Sequence, residues 1–410
     1  MRDLPRTRVE VVDIENGLSD VDADGWDRRL SLLRLGHKPL SIVEQSEYGG
    51  VFSASALWQS IAEEHAWAVT STALRRRLSA GDAISGDVRE LLSDIPEDEN
   101  HSNFRDFCVA IPTRRRPDDL RRCLSALAAG LISPETFDVI VVDNDDVPAI
   151  TKTEALVTEF PWVRYVREKA PGASHARNAA LAECGAEYIA YLDDDTIPDK
   201  AFASQLAAFC ESGFEMGSGM VLPLKVETPA EHHFEQFGGF GRGTQTISAT
   251  SLNDCPSPGQ LGTGANMMFR ADVLRSIGGF SSLFGTGSPM LGAEDLEVWS
   301  RGLHQGAELR YEPSVVVQHA HREDIDRLEA QLYSYGIGIT AFHLRCMEAF
   351  PELRTRYRDL HVWWGRHGVL RPVLEAMTRP TRYPTRLRRA YARGYVRGHA
   401  VYARRRNEAP

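Results

Sequence analysis

The sequence of 410 residues has little cysteine, and none of it stands in a metal-binding spacing. Its six cysteines include no Cys-x-x-Cys pair, which favours reduced thiols over a zinc site or a disulfide framework. The first residues lack the apolar stretch of a signal peptide, and no apolar run is long enough to span a bilayer. These absences predict a cytoplasmic protein.

A basic excess is also absent, because the formal net charge is -10. This balance argues against nucleic acid as a partner. The charge is uneven, however, since arginines alternate with tyrosines between Arg386 and Arg406. A basic helix with aromatic residues predicts peripheral contact with the inner face of a membrane. The alternative is a solvated helix, or one that packs in a homodimer.

The chain divides by pattern into three regions. Residues 1–103 predict an N-terminal accessory domain and linker, residues 104–322 a catalytic domain, and residues 323–410 a helical, Arg-rich extension. In the extension, helices are expected at Asp324–Tyr335 and Thr340–Phe350, separated by small residues. This arrangement predicts one main domain with an appendage at each end.

The accessory region predicts a small α+β fold. A strand is expected at Val9–Ile14, and a hairpin at Leu32–Glu44 with its turn at Gly36-His37-Lys38-Pro39. Helices are expected near 53–64 and 70–78, and a polar linker at 94–103. No chemical constellation appears in this region, so a role in packing, dimerisation or acceptor contact is expected.

The middle region alternates short apolar runs with amphipathic stretches. Strands are predicted at Cys108–Ile111, Val139–Val142 and Tyr188–Leu192, and helices from Pro117 and over Ala173–Glu183. Such alternation predicts a mostly parallel α/β sheet with helices on both faces.

Polar side chains follow these predicted strands where ligands bind such sheets. Thr113, Asp143 and the run Asp193-Asp194-Asp195 all stand at strand carboxyl ends. Three adjacent carboxylates repel one another unless a cation neutralises them. Hard oxygen ligands suit Mg²⁺ or Mn²⁺, which keep coordination positions free for diphosphate oxygens. The sequence therefore predicts a metal and diphosphate site.

Residues 107 to about 320 resemble a family 2 glycosyltransferase with the GT-A fold. The resemblance covers about half the chain, and its motifs stand in the family's order. They are Ala110-Ile111-Pro112-Thr113-Arg114, Val141-Val142-Asp143-Asn144, Gly172-Ala173-Ser174-His175-Ala176-Arg177-Asn178, Leu192-Asp193-Asp194-Asp195 and Gly292-Ala293-Glu294-Asp295.

The resemblance implies a nucleotide diphosphate sugar as donor, and UDP- or dTDP-sugars are favoured. It implies that Asp195 binds Mn²⁺ or Mg²⁺ together with His319, for which His321 is the alternative. The residues it assigns to the donor are Pro112, Thr113, Arg116, Asp143, Arg177, Asp193 and Asp194. Asp143 would contact the base, Arg177 the nucleotide or its phosphates, and Asp193 the ribose or sugar. The role of Asp194 is ambiguous.

The same resemblance implies an inverting transfer to an acceptor hydroxyl. Asp295 would be the general base, supported by Glu294, at the start of a helix. Gly264, Asn266 and Trp299 are assigned to the acceptor side. A glycan, a lipid-linked molecule or a small molecule is expected as acceptor.

The sequence disfavours two other functions. A sugar nucleotidyltransferase would need a glycine-rich phosphate loop with a lysine, but the loop from Pro112 to Pro117 has no glycine. A non-catalytic nucleotide-sugar-binding module would be favoured by a degraded base or metal motif, and both motifs are intact.

Overall fold

A computed structural model describes residues 4–81, 106–130, 137–147, 151–372, 374 and 383–408. The predicted linker at 94–103 lies outside the described residues, as does the boundary at 103/104. The elements of the N-terminal region are β1 (Thr7–Asp13), β2 (Val21–Asp22), β3 (Arg28–Leu35), β4 (Lys38–Ser46), β5 (Val51–Phe52), α1 (Ala54–Ser60) and α2 (Ala66–Ala80).

The predicted hairpin is confirmed, with a tighter turn than expected. Leu35 pairs with Lys38, so Gly36 and His37 alone form the turn and Pro39 lies within β4. Both turn residues have positive φ, 47° and 65°. Two successive residues in the left-handed conformation match the twist of the flanking antiparallel strands. This match explains why a two-residue loop connects them.

The two helices predicted in this region form one continuous helical stretch. A π-helical segment, Ile61–His65, joins α1 to α2 without a break. The stretch begins at Ser53, whose hydroxyl accepts a hydrogen bond from the Ala56 amide at 3.4 Å. Leu57, Ile61 and Val69 are buried against the hairpin, because the stretch keeps one apolar face throughout.

The N-terminal sheet is completed by a strand from the next region. Its strand order is β12-β1-β3-β4, in which β12 (Lys225–Val226) pairs antiparallel with β1. The buried Arg34 guanidinium pairs with Asp13 and also lies 2.6 Å from Asp199. The accessory region is therefore joined to the central region by backbone pairing and by a buried ion pair.

The central region is a mixed sheet with helices around it. Its other strands are β6 (Phe107–Thr113), β7 (Asp138–Asp143), β8 (Val163–Arg167), β9 (Tyr188–Leu192), β10 (Thr196–Pro198), β11 (Met216–Pro223), β13 (Ile247–Ala249), β14 (Asn266–Arg270) and β15 (Leu309–His319). Its helices are α3 (Pro117–Ala128), α4 (Lys152–Val157), α5 (Ala173–Glu183), α6 (Phe202–Glu211), α7 (Pro229–Phe237), α8 (Ala271–Ser276) and α9 (Glu294–His304).

The strand order of this sheet is β10-β15-β11-β14-β9-β6-β7-β8, with β13 alongside β15. Strands β9, β6, β7 and β8 are mutually parallel, while β14 runs antiparallel to both of its neighbours. Because three predicted strands are parallel neighbours, their carboxyl ends meet at one edge of the sheet. The predicted strands and α5 are confirmed, and the fold is α/β with a parallel-rich sheet.

The core of the sheet is apolar on both faces. Val109, Ile111, Val139 and Val141 are buried on one face, and Ala110 and Ile140 lie in a second buried cluster on the other. This two-sided burial explains why the strands are continuous apolar runs and do not alternate with polar residues. All six cysteines are buried free thiols, as their spacing predicted.

The C-terminal region is helical, as expected, but its first part is one helix. The helices are α10 (Ile325–Ala349), α11 (Arg354–Trp364), a π-helical segment (Gly365–Leu370) and α12 (Thr385–Arg405). The predicted break near Gly336 and Gly338 is wrong. A Cβ on Gly336 would overlap the Tyr391 carbonyl, so glycine serves close packing of α10 on α12 there.

Helix α12 turns its aromatic side chains toward the protein. Tyr391, Tyr395 and Tyr402 are buried, and the Thr340 hydroxyl of α10 donates to the Tyr395 carbonyl at 2.9 Å. The aromatic residues expected at a membrane surface therefore pack on α10. In the part of the chain that the structure describes, no helix has both the length and the apolarity to cross a bilayer.

Replacing Gly394 by alanine is expected to destabilise the protein by about 1–3 kcal/mol, because the new methyl group would overlap the Tyr333 carbonyl. Urea denaturation followed by circular dichroism measures the effect. Gly185→Ala is the matched control, since a Cβ there meets nothing within 4 Å. Equal free energies of unfolding for the two variants would contradict this packing.

Candidate active site

The three aspartates after β9 diverge toward different partners. Asp194 accepts a hydrogen bond from the Thr113 hydroxyl at 2.7 Å and lies 3.1 Å from Arg116. Nη1 of Arg116 also donates a hydrogen bond to Asp195 Oδ2, at 2.9 Å. Asp194 thus faces β6 and the start of α3, where Thr113 and Arg116 stand. The role of Asp194, which the sequence left ambiguous, stays a prediction.

His319 reaches Asp195 because of backbone pairing. Strand β10, which follows the aspartates, runs antiparallel to the end of β15 and sets Thr196 opposite His319. His319 Nε2 lies 3.1 Å from Asp195 Oδ1. One ligand atom each from Asp193, Asp195 and His319 lies within 4.8 Å of the others, a spacing that could hold a metal ion. Two carboxylates and an imidazole suit a divalent cation.

The charges around Asp195 keep it ionised. Burial would raise the pKa of Asp195, but His319 and then Arg116 and Arg322 lower it below the ordinary value. Burial likewise disfavours protonated His319, but the Asp195 carboxylate outweighs this and raises the pKa of His319. The opposite charges of these side chains therefore compensate one another.

His321 points to a different partner. Its Nε2 lies 2.7 Å from Glu235 Oε1 on α7, and its Nδ1 lies 3.4 Å from Nδ1 of His319. The alternative metal ligand therefore stands behind His319. A carboxylate behind a ligating imidazole is a common means of orienting it.

Arg177 joins the aspartate cluster to the second motif. Its buried guanidinium lies 3.1 Å from Asp193 and 2.5 Å from Glu294. The side chain also donates to the Gly264 carbonyl at 3.3 Å. The charge of Arg177 is thus already balanced by carboxylates, whereas the sequence predicted an arginine directed at the nucleotide. Its position makes it a bridge between the two acidic motifs.

Asp295 is held at the start of α9 by two backbone amides. Gly264 donates to its Oδ2 at 2.9 Å, and Leu296 donates to Oδ1 at 2.8 Å. Ala293, just before the motif, has a φ of 62°, a left-handed conformation that is costly for alanine. Burial, and then the neighbouring Glu294, raise the pKa of Asp295 to about 6. A carboxylate with this pKa is suited to general base chemistry near neutral pH.

These groups share one cavity of about 1140 Å³. Most of the residues predicted from the sequence line it. They are Pro112, Thr113, Arg116, Arg177, Asp193, Asp194, Asp195, Gly264, Glu294, Asp295 and His319.

Three predicted residues lie outside the cavity wall. Asp143 is buried beneath it and accepts hydrogen bonds from Thr151 and, at 3.0 Å, from Tyr165. The Asn266 amide donates to two strand carbonyls, and Trp299 packs beneath Gly262. Asn266 and Trp299, predicted on the acceptor side, are fully buried and do not line the cavity.

Several polar residues of the wall were not predicted from the sequence, among them Arg322 and Asn144. Arg322 lies 3.4 Å from Asp195, and Asn144 accepts a hydrogen bond from the Gly172 amide at 2.8 Å. Asn144 directly follows Asp143 at a strand end, and Arg322 directly follows the His-x-His pair. Adjacency to predicted site residues was the available signal in both cases.

The edge of the sheet thus brings the carboxylate and histidine cluster and Asp295 into one cavity. A model of glycosyl transferase family 2 matches residues 108–278, which include β6, the aspartate cluster and the Gly264 loop. This part of the chain is therefore similar to glycosyl transferase family 2.

Curated relatives of the chain are named glycosyltransferases. The chain is 26% identical over 271 residues to a pre-mycofactocin glycosyltransferase of Mycobacterium tuberculosis, covering 63% of this chain and 53% of the relative. It is 20% identical over 228 residues to glycosyltransferase AglE of Haloferax volcanii, covering 54% and 69%. The chain thus spans about half the length of the mycobacterial relative.

Solved structures resemble the chain weakly. The mannosyltransferase PcManGT of Pyrobaculum calidifontis, in complex with GDP-Man and Mn²⁺, has a TM-score of 0.49 and 14% identity, covering 84% of this chain and 98% of its own. Residues 1–349 of S. aureus TarS have a TM-score of 0.47 and 15% identity, covering 74% and 91%. Similarity at this level does not identify a ligand for this chain.

Replacing His319 by alanine is expected to weaken Mn²⁺ binding by about tenfold or more, because one of three candidate ligands is lost. Isothermal titration of the purified protein with MnCl₂ measures the affinity. His304→Ala is the control, since His304 is a partly exposed residue on α9, away from this cluster. Equal Mn²⁺ affinities of the two variants would show that His319 is not a metal ligand.

Proposed function

We propose that the protein transfers a sugar from a nucleotide diphosphate sugar to an acceptor hydroxyl, with a divalent cation and with Asp295 as general base. The observation that carries this proposal is the sharing of one cavity by the Asp193, Asp195 and His319 cluster and by Asp295. The match of residues 108–278 to the glycosyl transferase family 2 model supports the reaction class. The alternative of a non-catalytic module is disfavoured, since both acidic motifs are complete.

The donor set fits the proposed cation. Asp193, Asp195 and His319 would hold it, and an imidazole among two carboxylates favours Mn²⁺ over the strictly oxygen-preferring Mg²⁺. When bound, the cation would neutralise charge on the leaving diphosphate. Arg116 and Arg322, both in the cavity wall beside Asp195, supply further positive charge for phosphate oxygens.

The donor nucleotide is proposed to lie against Thr113, Asp194 and Arg116. Asp143, which lies beneath the cavity wall, is kept as the proposed contact of the base, because its Oδ1 has no hydrogen-bond partner among the described residues. Such an acceptor atom suits an N–H group of uracil or thymine, so UDP- and dTDP-sugars remain the preferred donors. Asn144, which lines the cavity directly after Asp143, supports the same placement.

The proposed reaction is a single displacement. The acceptor oxygen forms a bond to the anomeric carbon while the bond from that carbon to the diphosphate oxygen breaks. The hydroxyl proton moves to the Asp295 carboxylate, and the nucleoside diphosphate leaves. One displacement inverts the anomeric configuration. Glu294, which pairs with Arg177, lies beside Asp295 and raises its pKa, which favours proton uptake by the base.

Peripheral membrane contact through α12 is kept as a weaker proposal. Arg389, Arg393 and Arg397 are exposed on its outer face, although its tyrosines are buried. The arginines alone supply electrostatic attraction to anionic lipid. A cytoplasmic location and a homodimer likewise remain proposals.

Asp195→Ala and Asp295→Asn are each expected to abolish sugar transfer, and only Asp195→Ala should impair donor binding. Hydrolysis and thermal shift with UDP-, dTDP- and GDP-sugars in the presence of Mn²⁺ measure the two steps. Asp272→Asn, which changes an exposed aspartate on α8, is the matched control. Transfer at near wild-type rates in both site variants would exclude the mechanism.

The rate at saturating donor and Mn²⁺ is expected to fall as pH drops below about 6. Asp295 acts as a base only when deprotonated, and burial with the Glu294 charge raises its pKa to about 6. Protonation of Asp295 removes the base, so the rate should drop tenfold per pH unit below that pKa. A profile that stays flat down to pH 4.5 would contradict this assignment.

A further inference from the structure

The cavity that contains the proposed donor site continues into the C-terminal helices. Its wall includes Tyr335 and Ile339 of α10, Trp364 at the end of α11, and Val369 of the π-helical segment. Its volume of about 1140 Å³ exceeds the roughly 300–1,000 Å³ typical of a pocket for one ligand. The cavity therefore has room for a second molecule beside the donor.

This second branch is lined by aromatic rings from separate elements. Phe237 at the end of α7 meets Tyr391 of α12 with ring centroids 5.2 Å apart. The indole nitrogen of Trp364 donates to the Tyr391 hydroxyl at 2.6 Å. Because that hydrogen bond occupies the polar groups of both side chains, the rings offer the cavity mainly apolar surface.

A guanidinium group interrupts this apolar wall. Arg388 of α12 lies over the Tyr383 ring at 5.5 Å, and its Nη1 donates to the Pro372 carbonyl at 2.5 Å. Its Nε is buried and has no hydrogen-bond partner among the described residues. The branch therefore combines apolar walls with polar side chains, among them Arg388, Arg327 and Gln331.

We propose that this branch binds the acceptor, and that the acceptor carries an apolar group, an aromatic ring or a long alkyl chain, beside its nucleophilic hydroxyl. The inference rests on the proposed function, because Asp295 in the same cavity would receive the hydroxyl proton. The aromatic walls favour an apolar group over a second hydrated sugar. Arg388 would contact an oxygen that links the two parts.

The chain provides a matched pair of tryptophans for the test. Trp364 lines the cavity, whereas its neighbour Trp363 is 53% exposed and lies outside the wall. Phe237, which is 39% exposed and comes from a different helix, provides a second site variant with little risk to folding. All variants are made in the full chain, and circular dichroism checks that they fold.

Binding is measured with 1-anilinonaphthalene-8-sulfonate, an aromatic anion that fluoresces in apolar sites. The wild type is expected to bind the dye, with affinity at least fivefold weaker in Trp364→Ala and in Phe237→Ala and unchanged within twofold in Trp363→Ala. No binding by the wild type, or equal affinity in all four proteins, would overturn the proposal. A loss confined to Trp363→Ala would also overturn it.

Transfer is measured with the donor found by the hydrolysis screen, using methyl, 4-nitrophenyl and octyl glycosides of glucose and mannose as acceptors. The wild type should prefer 4-nitrophenyl or octyl over methyl glycosides by at least tenfold in kcat/KM, and Trp364→Ala should lose this preference. The preferred member distinguishes an aromatic ring from an alkyl chain. A preference for methyl glycosides overturns the proposal, whereas absence of donor hydrolysis refutes the proposed function instead.

Discussion

The geometry of the site depends on one buried guanidinium group. Arg177 lies between Asp193 of the metal cluster and Glu294 of the base motif, 3.1 Å and 2.5 Å from their carboxylates. Breaking such a buried pair by removing one partner typically costs about 3–5 kcal/mol, because the remaining charge is left without compensation. The ion pair therefore explains how two acidic motifs 100 residues apart in sequence remain close in one cavity.

The C-terminal helices stabilise the same site from the outside. Gly338 of α10 packs against the backbone of Gly292, since a Cβ there would lie 3.2 Å from the Gly292 carbonyl carbon. The strained residue Ala293 follows directly, and Asp295 begins its helical turn from that point. Because α12 packs closely on α10, the extension both fixes the base loop and forms the second branch of the cavity.

Much of the central sheet could be predicted, because its strands are continuous apolar runs that end in polar residues. The bounds of α5 and β9 agree with the sequence pattern. Partners distant in sequence could not be predicted, as in the case of Arg177, which contacts one carboxylate beyond β9 and another beyond β14. The burial of Trp299 could not be predicted either, since an aromatic residue on an amphipathic helix fits a core or a pocket equally well. The glycines of α10 predicted a helix break, but glycine is also required where two helices pack closely, as it is here.

The most direct test of the Arg177 bridge is a double-mutant cycle. Arg177→Met, Glu294→Gln and the double variant are compared with the wild type by their free energies of unfolding in urea. A coupling energy of about 1–3 kcal/mol is predicted, because the second replacement removes a charge that the first left unpaired. If the two single effects simply add in the double variant, the bridge does not hold the two motifs together.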